Sequence, residues 1–219
     1  MSSPPAQPPP AQPEPPQSRP PGPRPPGPRR RGHRQDRTQD RLLVLRAQDG
    51  DSDAFEHLID QHQGRLFRIA YLVLGDRQDS EDVVQETLLT AWKRLHLLDD
   101  PEAVRSWLSQ ICSRRALDVA RRRSRRATDA RPPEIMHGQP DAAPRADPAR
   151  STEVNVQMDA LARVLATMEP DLRSCWTLRE VEGMSYREVS VALDITESTA
   201  RGRIARARTH VIEHMKEWR

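Results

Sequence analysis

The chain has 219 residues, 31% of them charged, a formal net charge of +3 at pH 7, 21 prolines and two cysteines. That length allows one or two domains; no apolar run approaches the length of a membrane-spanning helix, and the N-terminus has no apolar signal region. Cys112 and Cys175 lie far apart in helical patterns without CxxC or His/Cys metal spacing, so buried free thiols in a reducing cytosol are expected, in a soluble, cytoplasmic protein.

Fourteen of the prolines fall in the first 28 residues, and the basic run Arg29–Arg34 follows. Such a segment has too little apolar surface to offset its ordering entropy, so residues 1–38 are expected to be a disordered tail with polyproline character. Helical periodicity begins with Leu42, Leu43 and Leu45 and pauses near Gly50. Asp53 and Glu56 have the spacing of a capping box. Phe55, Leu58, Ile59, His62, Leu66, Ile69, Ala70 and Val73 then recur at three- and four-residue steps up to Gly75. A further helix is predicted from about Asp79–Ser80, with Val83, Val84, Thr87, Leu88, Ala91, Trp92 and Leu95 on one face. After a loop at 97–104, a fourth helix runs from about Ala103 into a stretch where seven arginines between Arg114 and Arg126 face one acid, Asp118. The charge here is local: five acids lie between Asp76 and Glu86 against one arginine, and such stripes matter more to nucleic-acid binding than the chain total. Trp92 and Trp107 are expected in the core. Residues 127–151 hold five prolines and no period, which reads as a flexible linker.

Helices resume near Thr152 and again at Pro170 or Asp171, the latter ending on Gly183 as a glycine C-cap. Ser185 and Glu188 form a second capping-box pattern, opening a short helix through Val189, Ala192 and Leu193. Asp194-Ile195-Thr196 is a turn of helix-turn-helix length, and Thr196 can cap a last helix from Glu197 to about Met215. Ala200, Ile204, Ala207 and Val211 give that helix a narrow apolar stripe, leaving Arg201, Arg203, Arg206 and Arg208 elsewhere. A helix with a small seam and forked guanidinium donors suits the DNA major groove. No strand signal is convincing. The fold class is all-α: two small helical domains, 39–126 and 152–219, joined by the linker.

The segments Asp79-Ser-Glu-Asp-Val-Val-Gln-Glu-Thr-Leu88, Arg105-Ser-Trp-Leu-Ser-Gln-Ile111, Ala116-Leu-Asp118 with Arg121–Arg126, and Leu178-Arg-Glu-Val-Glu-Gly-Met-Ser-Tyr-Arg-Glu-Val189 with Thr199–Arg208 stand in one order. Together they resemble the extracytoplasmic-function (ECF) group of the sigma-70 family, over roughly Ala54–Arg126 and Leu161–Met215. The resemblance implies a subunit that directs core RNA polymerase to promoters, with a region 2-like and a region 4-like domain. Asp79, Glu81, Asp82, Gln85 and Glu86 would dock on the clamp helices of the polymerase β′ subunit, and the second domain on the β flap. Arg114, Arg115, Asp118, Arg121 and Arg122 would read and melt the −10 element, with the loop 97–104 cradling a flipped base. Glu197, Ser198, Thr199, Arg201, Gly202, Arg203 and Arg206 would read the −35 duplex. Members of the family are often sequestered by an anti-sigma factor. Neither catalytic residues nor a metal or cofactor is implied, and no membrane insertion. Three positions depart from the family pattern. Arg114 stands where most members carry asparagine, which points to phosphate rather than a base; Thr196-Glu-Ser198 replaces a proline-containing turn; and Gly202 replaces a common serine. An autonomous DNA-binding regulator would instead need a ligand or dimerisation domain upstream of the helix-turn-helix. A recombinase would need a strand-bearing catalytic domain, and neither pattern is present in the sequence.

Overall fold

The computed structural model describes residues 32–129 and 148–215, with side chains for 38–126 and 156–215. The described residues form eight α-helices: α1 (Gly32–Gln48), α2 (Ser52–Leu74), α3 (Arg77–Arg94), α4 (Val104–Asp129), α5 (Pro148–Ala166), α6 (Pro170–Trp176), α7 (Tyr186–Leu193) and α8 (Glu197–Met215). Short 3₁₀ turns at Leu95–Leu97 and Pro101–Ala103 join α3 to α4, and a π-helical turn, Thr177–Val181, extends α6. No strand occurs among the described residues, and no described helix is long and apolar enough to cross a membrane. Of the expected tail at 1–38 and the expected linker at 127–151, residues 1–31 and 130–147 lie outside the described residues, while residues 127–129 continue α4 and residues 148–151 begin α5.

The N-terminal block is α1–α4 around one core. Leu66, Ile69, Ala70 and Val73 of α2 are fully buried against Val83 and Ala91 of α3, Leu108, Cys112 and Ala116 of α4, and Val44 of α1. Each large side chain so buried contributes about 1.5–3 kcal/mol. α1 begins at Gly32, inside the stretch expected as tail, and carries the helical pattern back from Leu42. Its Asp40 is buried and bonds His62 Nε2 of α2 at 3.1 Å, which ties down a turn that apolar periodicity alone did not mark. α2 starts two residues before the expected capping box. Gly50, with φ of +95°, turns the chain so that extended Asp51 accepts the Ala54 amide at 3.0 Å, and Asp53 is already in the first turn. Gly75 ends α2 in the left-handed region, its N–H donating to the Tyr71 carbonyl. The next cap falls at once, on Asp76, so α3 also starts earlier than expected.

In the C-terminal block the Ser185–Glu188 capping box is formed in both directions, at 3.1 and 2.6 Å. Asp194 turns the chain with φ of +53°, a left-handed conformation that aspartate tolerates better than most residues. Thr196 Oγ1 then accepts the Thr199 amide at 3.1 Å and opens α8, as its sequence position predicts.

The two blocks are packed together. Leu117 of α4 is buried among Cys175, Leu178, Val189, Ala192 and Ile204 of the C-terminal block. Leu72 of α2 is buried against Leu165, Met168, Trp176, Ala207 and Val211. Polar contacts cross the same seam: Tyr71 hydroxyl donates to Asp159 at 2.8 Å, Arg173 to the Val73 carbonyl at 2.8 Å, and Arg65 pairs with the almost fully buried Glu182 carboxylate.

Candidate nucleic-acid interface

The sequence-predicted residues fall on three surfaces. The first is α3. Asp76 and Ser80 anchor its start, so Val83, Val84, Thr87 and Ala91 face the core and Glu81, Asp82, Gln85 and Glu86 face solvent. Glu81 pairs with Arg77 one turn earlier at 3.2 Å. Asp79 is half-buried and holds the guanidinium of Arg123 from α4. Asp82 and Gln85 are exposed, with no hydrogen bond or ion pair to another described residue, so their polar atoms are available. Leu89, 61% exposed, and Trp92, 43% exposed, continue the line of Gln85 along the helix. Trp92 is therefore not a core residue as expected. It lies on Phe55, in the first turn of α2, with ring centroids 4.8 Å apart, and the rest of the indole is open to solvent. Leu89 and Trp92 belong to this surface; periodicity placed Trp92 among the core positions and left Leu89 off the apolar face without marking it as a contact.

The second surface is a groove of about 450 Å³ between α3 and α4. Arg114, Arg115, Asp118 and Arg122 line it with Gln110, Ile111 and Trp107 of α4 and Glu86, Thr90 and Arg94 of α3. Arg115 pairs with the Glu86 carboxylate and donates to Thr90 Oγ1 at 2.7 Å. Acidic ridge and basic stripe thus touch within one block, so Glu86 serves two surfaces. Aromatic and apolar side chains beside guanidinium groups are what an unstacked, charged strand needs. Arg121 is the exception among the five predicted residues: its guanidinium turns away from the groove to Asp171 of α6, at 2.7 and 3.2 Å. The loop at 97–104 is two tight turns, pinned by Gln48 Nε2 donating to the carbonyls of Leu95 and Leu98 at 2.9 and 3.0 Å. That bracing leaves Leu97, 63% exposed, at its tip.

Arg114 does more than line the groove. Its Nε donates to the Ala192 carbonyl and its Nη2 to the Val191 carbonyl, both at 2.6 Å, closing the C-terminal end of α7. A helix C-terminus presents unsatisfied carbonyls and negative potential, which a guanidinium fork satisfies. The expected phosphate-holding role is therefore occupied in this arrangement.

The third surface is α8. Ser198, Thr199, Arg201, Gly202 and Arg206 are exposed, and Glu197 braces Arg201 at 2.5 Å. Arg201 and Arg179 both lie over the Tyr186 ring, at 5.3 and 4.7 Å from its centroid. Arg203 instead turns inward and pairs with Asp171 at 2.7 Å, and Arg208 pairs with Glu180 at 2.7 Å. Asp171 so carries two arginines. Burial raises its pKa, but the Arg121 hydrogen bond and the charges of Arg203 and Arg121 outweigh that and hold the carboxyl below its ordinary range. Among the described residues no group of three His, Cys, Asp or Glu side chains is placed to hold a metal.

The sigma-70 region 2 family model matches residues 58–126, and the sigma-70 region 4 model matches residues 158–211. The RNA polymerase sigma-H factor of Pseudomonas aeruginosa is 30% identical over 174 residues, 78% of this chain and 90% of that protein. The ECF sigma-E factor of Escherichia coli is also 30% identical, over 77% of this chain and 90% of its own length. The chain belongs to the ECF group of the sigma-70 family. Against the ECF factor SigE of Mycolicibacterium smegmatis, 28% identical, the chain spans 62% of the relative's length. Among solved structures, CnrH in complex with the cytosolic domain of CnrY aligns over 82% of this chain with a TM-score of 0.57 and 24% identity. The Bartonella quintana sigma factor RpoE, in complex with the anti-sigma factor NepR, aligns over 74% with a TM-score of 0.56 and 21% identity. At those identities the likeness speaks for the fold. The three surfaces map onto the two matched regions: α3 and the groove lie in region 2, α8 in region 4.

Proposed function

We propose that this ECF sigma factor binds core RNA polymerase, reads −35 duplex DNA with α8 and opens the −10 element along the α3–α4 groove. The observation that carries the reading is the pairing, in family order, of a strand-sized basic and aromatic groove with a separate helix-turn-helix presenting Arg201 and Arg206. The exposed edge of α3, Asp82, Gln85, Leu89 and Trp92, suits docking on the β′ clamp helices: apolar contacts supply affinity and the carboxylate and amide fix register. The β flap is the counterpart for the C-terminal block. Promoter opening in this scheme is driven by binding energy, with Arg115, Asp118 and Arg122 holding the strand in the groove and Ile111 and Trp107 beneath it. An anti-sigma factor is a fitting further partner, since CnrH and RpoE were solved with theirs or with a partner's cytosolic domain. The site of action is the cytoplasm, where polymerase is.

Reconstitution with core polymerase, followed by genome-wide mapping of RNA 5′ ends, tests the proposal. Co-purification with core and a set of start sites sharing two spaced elements is the expected result. A chain that neither co-purifies with core nor supports initiation at any promoter would sink it.

A further inference from the structure

The −10 helix has two working faces. Arg115, Asp118 and Arg122 look into the groove, while Leu117 and Arg121, with the guanidinium of Arg114, engage the C-terminal block. We propose that this second grip is an autoinhibitory latch in which Asp171 is a shared counter-ion for the two DNA-reading helices. The proposal rests on the duplex-reading role of α8 and names how that role is held in check.

The geometry is specific. Asp171 Oδ1 lies 2.7 Å from Arg121 Nη2 of α4 and 2.7 Å from Arg203 Nη1 of α8, so one carboxylate occupies an arginine of each proposed promoter contact. Arg114 holds the carbonyls of Val191 and Ala192, immediately before the turn that leads into α8, which places α4 beside the end of α8 that would enter a major groove. Arg208 is occupied by Glu180 in the same block.

The seam is also imperfectly satisfied. Arg65 Nε, Arg173 Nε and Thr177 Oγ1 are buried without a hydrogen-bond partner among the described residues, and Arg65 and Arg173 belong to polar pairs that cross the seam. Buried polar groups left unpaired oppose burial, so the closed arrangement is one the chain can leave. A phosphate that takes Arg203 leaves Asp171 with Arg121 alone, and one that takes Arg121 leaves it with Arg203. Either event loosens the latch for the other helix, which couples the two promoter contacts through one residue.

The test uses the full chain, labelled for energy transfer at Leu89→Cys and Ile212→Cys, both exposed positions, while the native thiols are buried. Asp171→Ala and Arg114→Ala should each lengthen the label separation, with helicity unchanged by circular dichroism. Each should also tighten binding of a short mixed-sequence DNA duplex by about fivefold or more, the usual range of a coupling between sites. Asp171→Glu should behave as the wild type in both. Unchanged separation in both alanine variants overturns the latch, and so does a longer separation with unchanged duplex affinity. The duplex-reading role is probed separately by Arg201→Ala with Arg206→Ala in the Asp171→Ala background: full affinity there would count against α8 as the reader while the separation still reports on closure.

Discussion

At the scale of single residues, the two cysteines are packing elements with a chemical consequence. Burial pushes the Cys112 thiol up to about 12 and the Cys175 thiol up to about 11, the latter despite the opposing charge of Arg203. Both should resist alkylation in the native chain at neutral pH and react once it is unfolded, since the thiolate is the reactive form. Raised folded-state values mean that the stability from keeping these thiols neutral is complete below the ordinary value of 9.0 and is lost as pH rises through the folded values. The midpoint of urea denaturation should therefore fall as pH rises above 9.0. A Cys112→Ser, Cys175→Ser variant that loses stability just as steeply would assign the effect to other groups. Residue type and spacing disclosed buried free thiols; how far their acidity falls depends on the packing of α2 against α4 around Cys112 and of α4, α7 and α8 around Cys175, which was not legible.

At the scale of elements, α8 carries one residue at odds with its helix. A Cβ added to Gly202 would meet nothing within 4 Å, so the glycine is not required by packing in the chain itself. Gly202→Ala should raise thermal stability by about 0.5–1 kcal/mol, the ordinary helix preference. It should also weaken promoter binding, because the added methyl would stand on the exposed face beside Arg201 and Arg206; a stability gain with unchanged promoter affinity would dismiss close backbone approach as the glycine's purpose. On α3, Leu89→Ala should cost little stability, since that side chain is largely exposed, and Trp92→Ala more, since it also loses the Phe55 contact; both should reduce capture of core polymerase in a pull-down. Retained capture would move the docking surface off this edge. Helix order, the Ser185 capping box and the Thr196 cap were readable because capping is local chemistry. The Asp51 cap and the exposure of Trp92 were not. The first depends on the φ of Gly50 and the second on how α2 and α3 pack together at the Phe55 contact.

At the scale of the whole molecule, the two blocks are joined by buried charge as well as apolar contact. Arg65 is largely buried and its pKa is lowered by that burial, against the attraction of Glu182, whose side chain is 2% exposed. Removing one partner of such a pair strands the other charge, so Glu182→Gln should destabilise the chain by about 3 kcal/mol in denaturant titrations. Replacing both, Arg65→Met with Glu182→Leu, should restore most of that loss. A single replacement that leaves the denaturation midpoint unchanged would mean the blocks separate in solution before either unfolds. The groove between α3 and α4 also belongs to this scale: the arginine stripe and the acidic ridge are far apart in the chain, and only the packing of two helices turned Arg115 onto Glu86 and Arg123 onto Asp79.

The sequence by itself determined the all-α class, the order of the two regions, the helix-turn-helix and its caps, and the family. Those features rest on local rules: periodicity, capping, turn length and charge type act within a few residues of where they are written. Only the tertiary structure decided which arginines are available. Arg114, Arg121 and Arg203 look equivalent to their neighbours in a linear stripe, yet the packing of α6 and α7 against α4 and α8 engages their guanidinium groups with the α7 carbonyls and with Asp171, while Arg122, Arg201 and Arg206 make no such contact between the blocks. A guanidinium's partner is set by which elements meet in space, and that is long-range information that no local pattern carries.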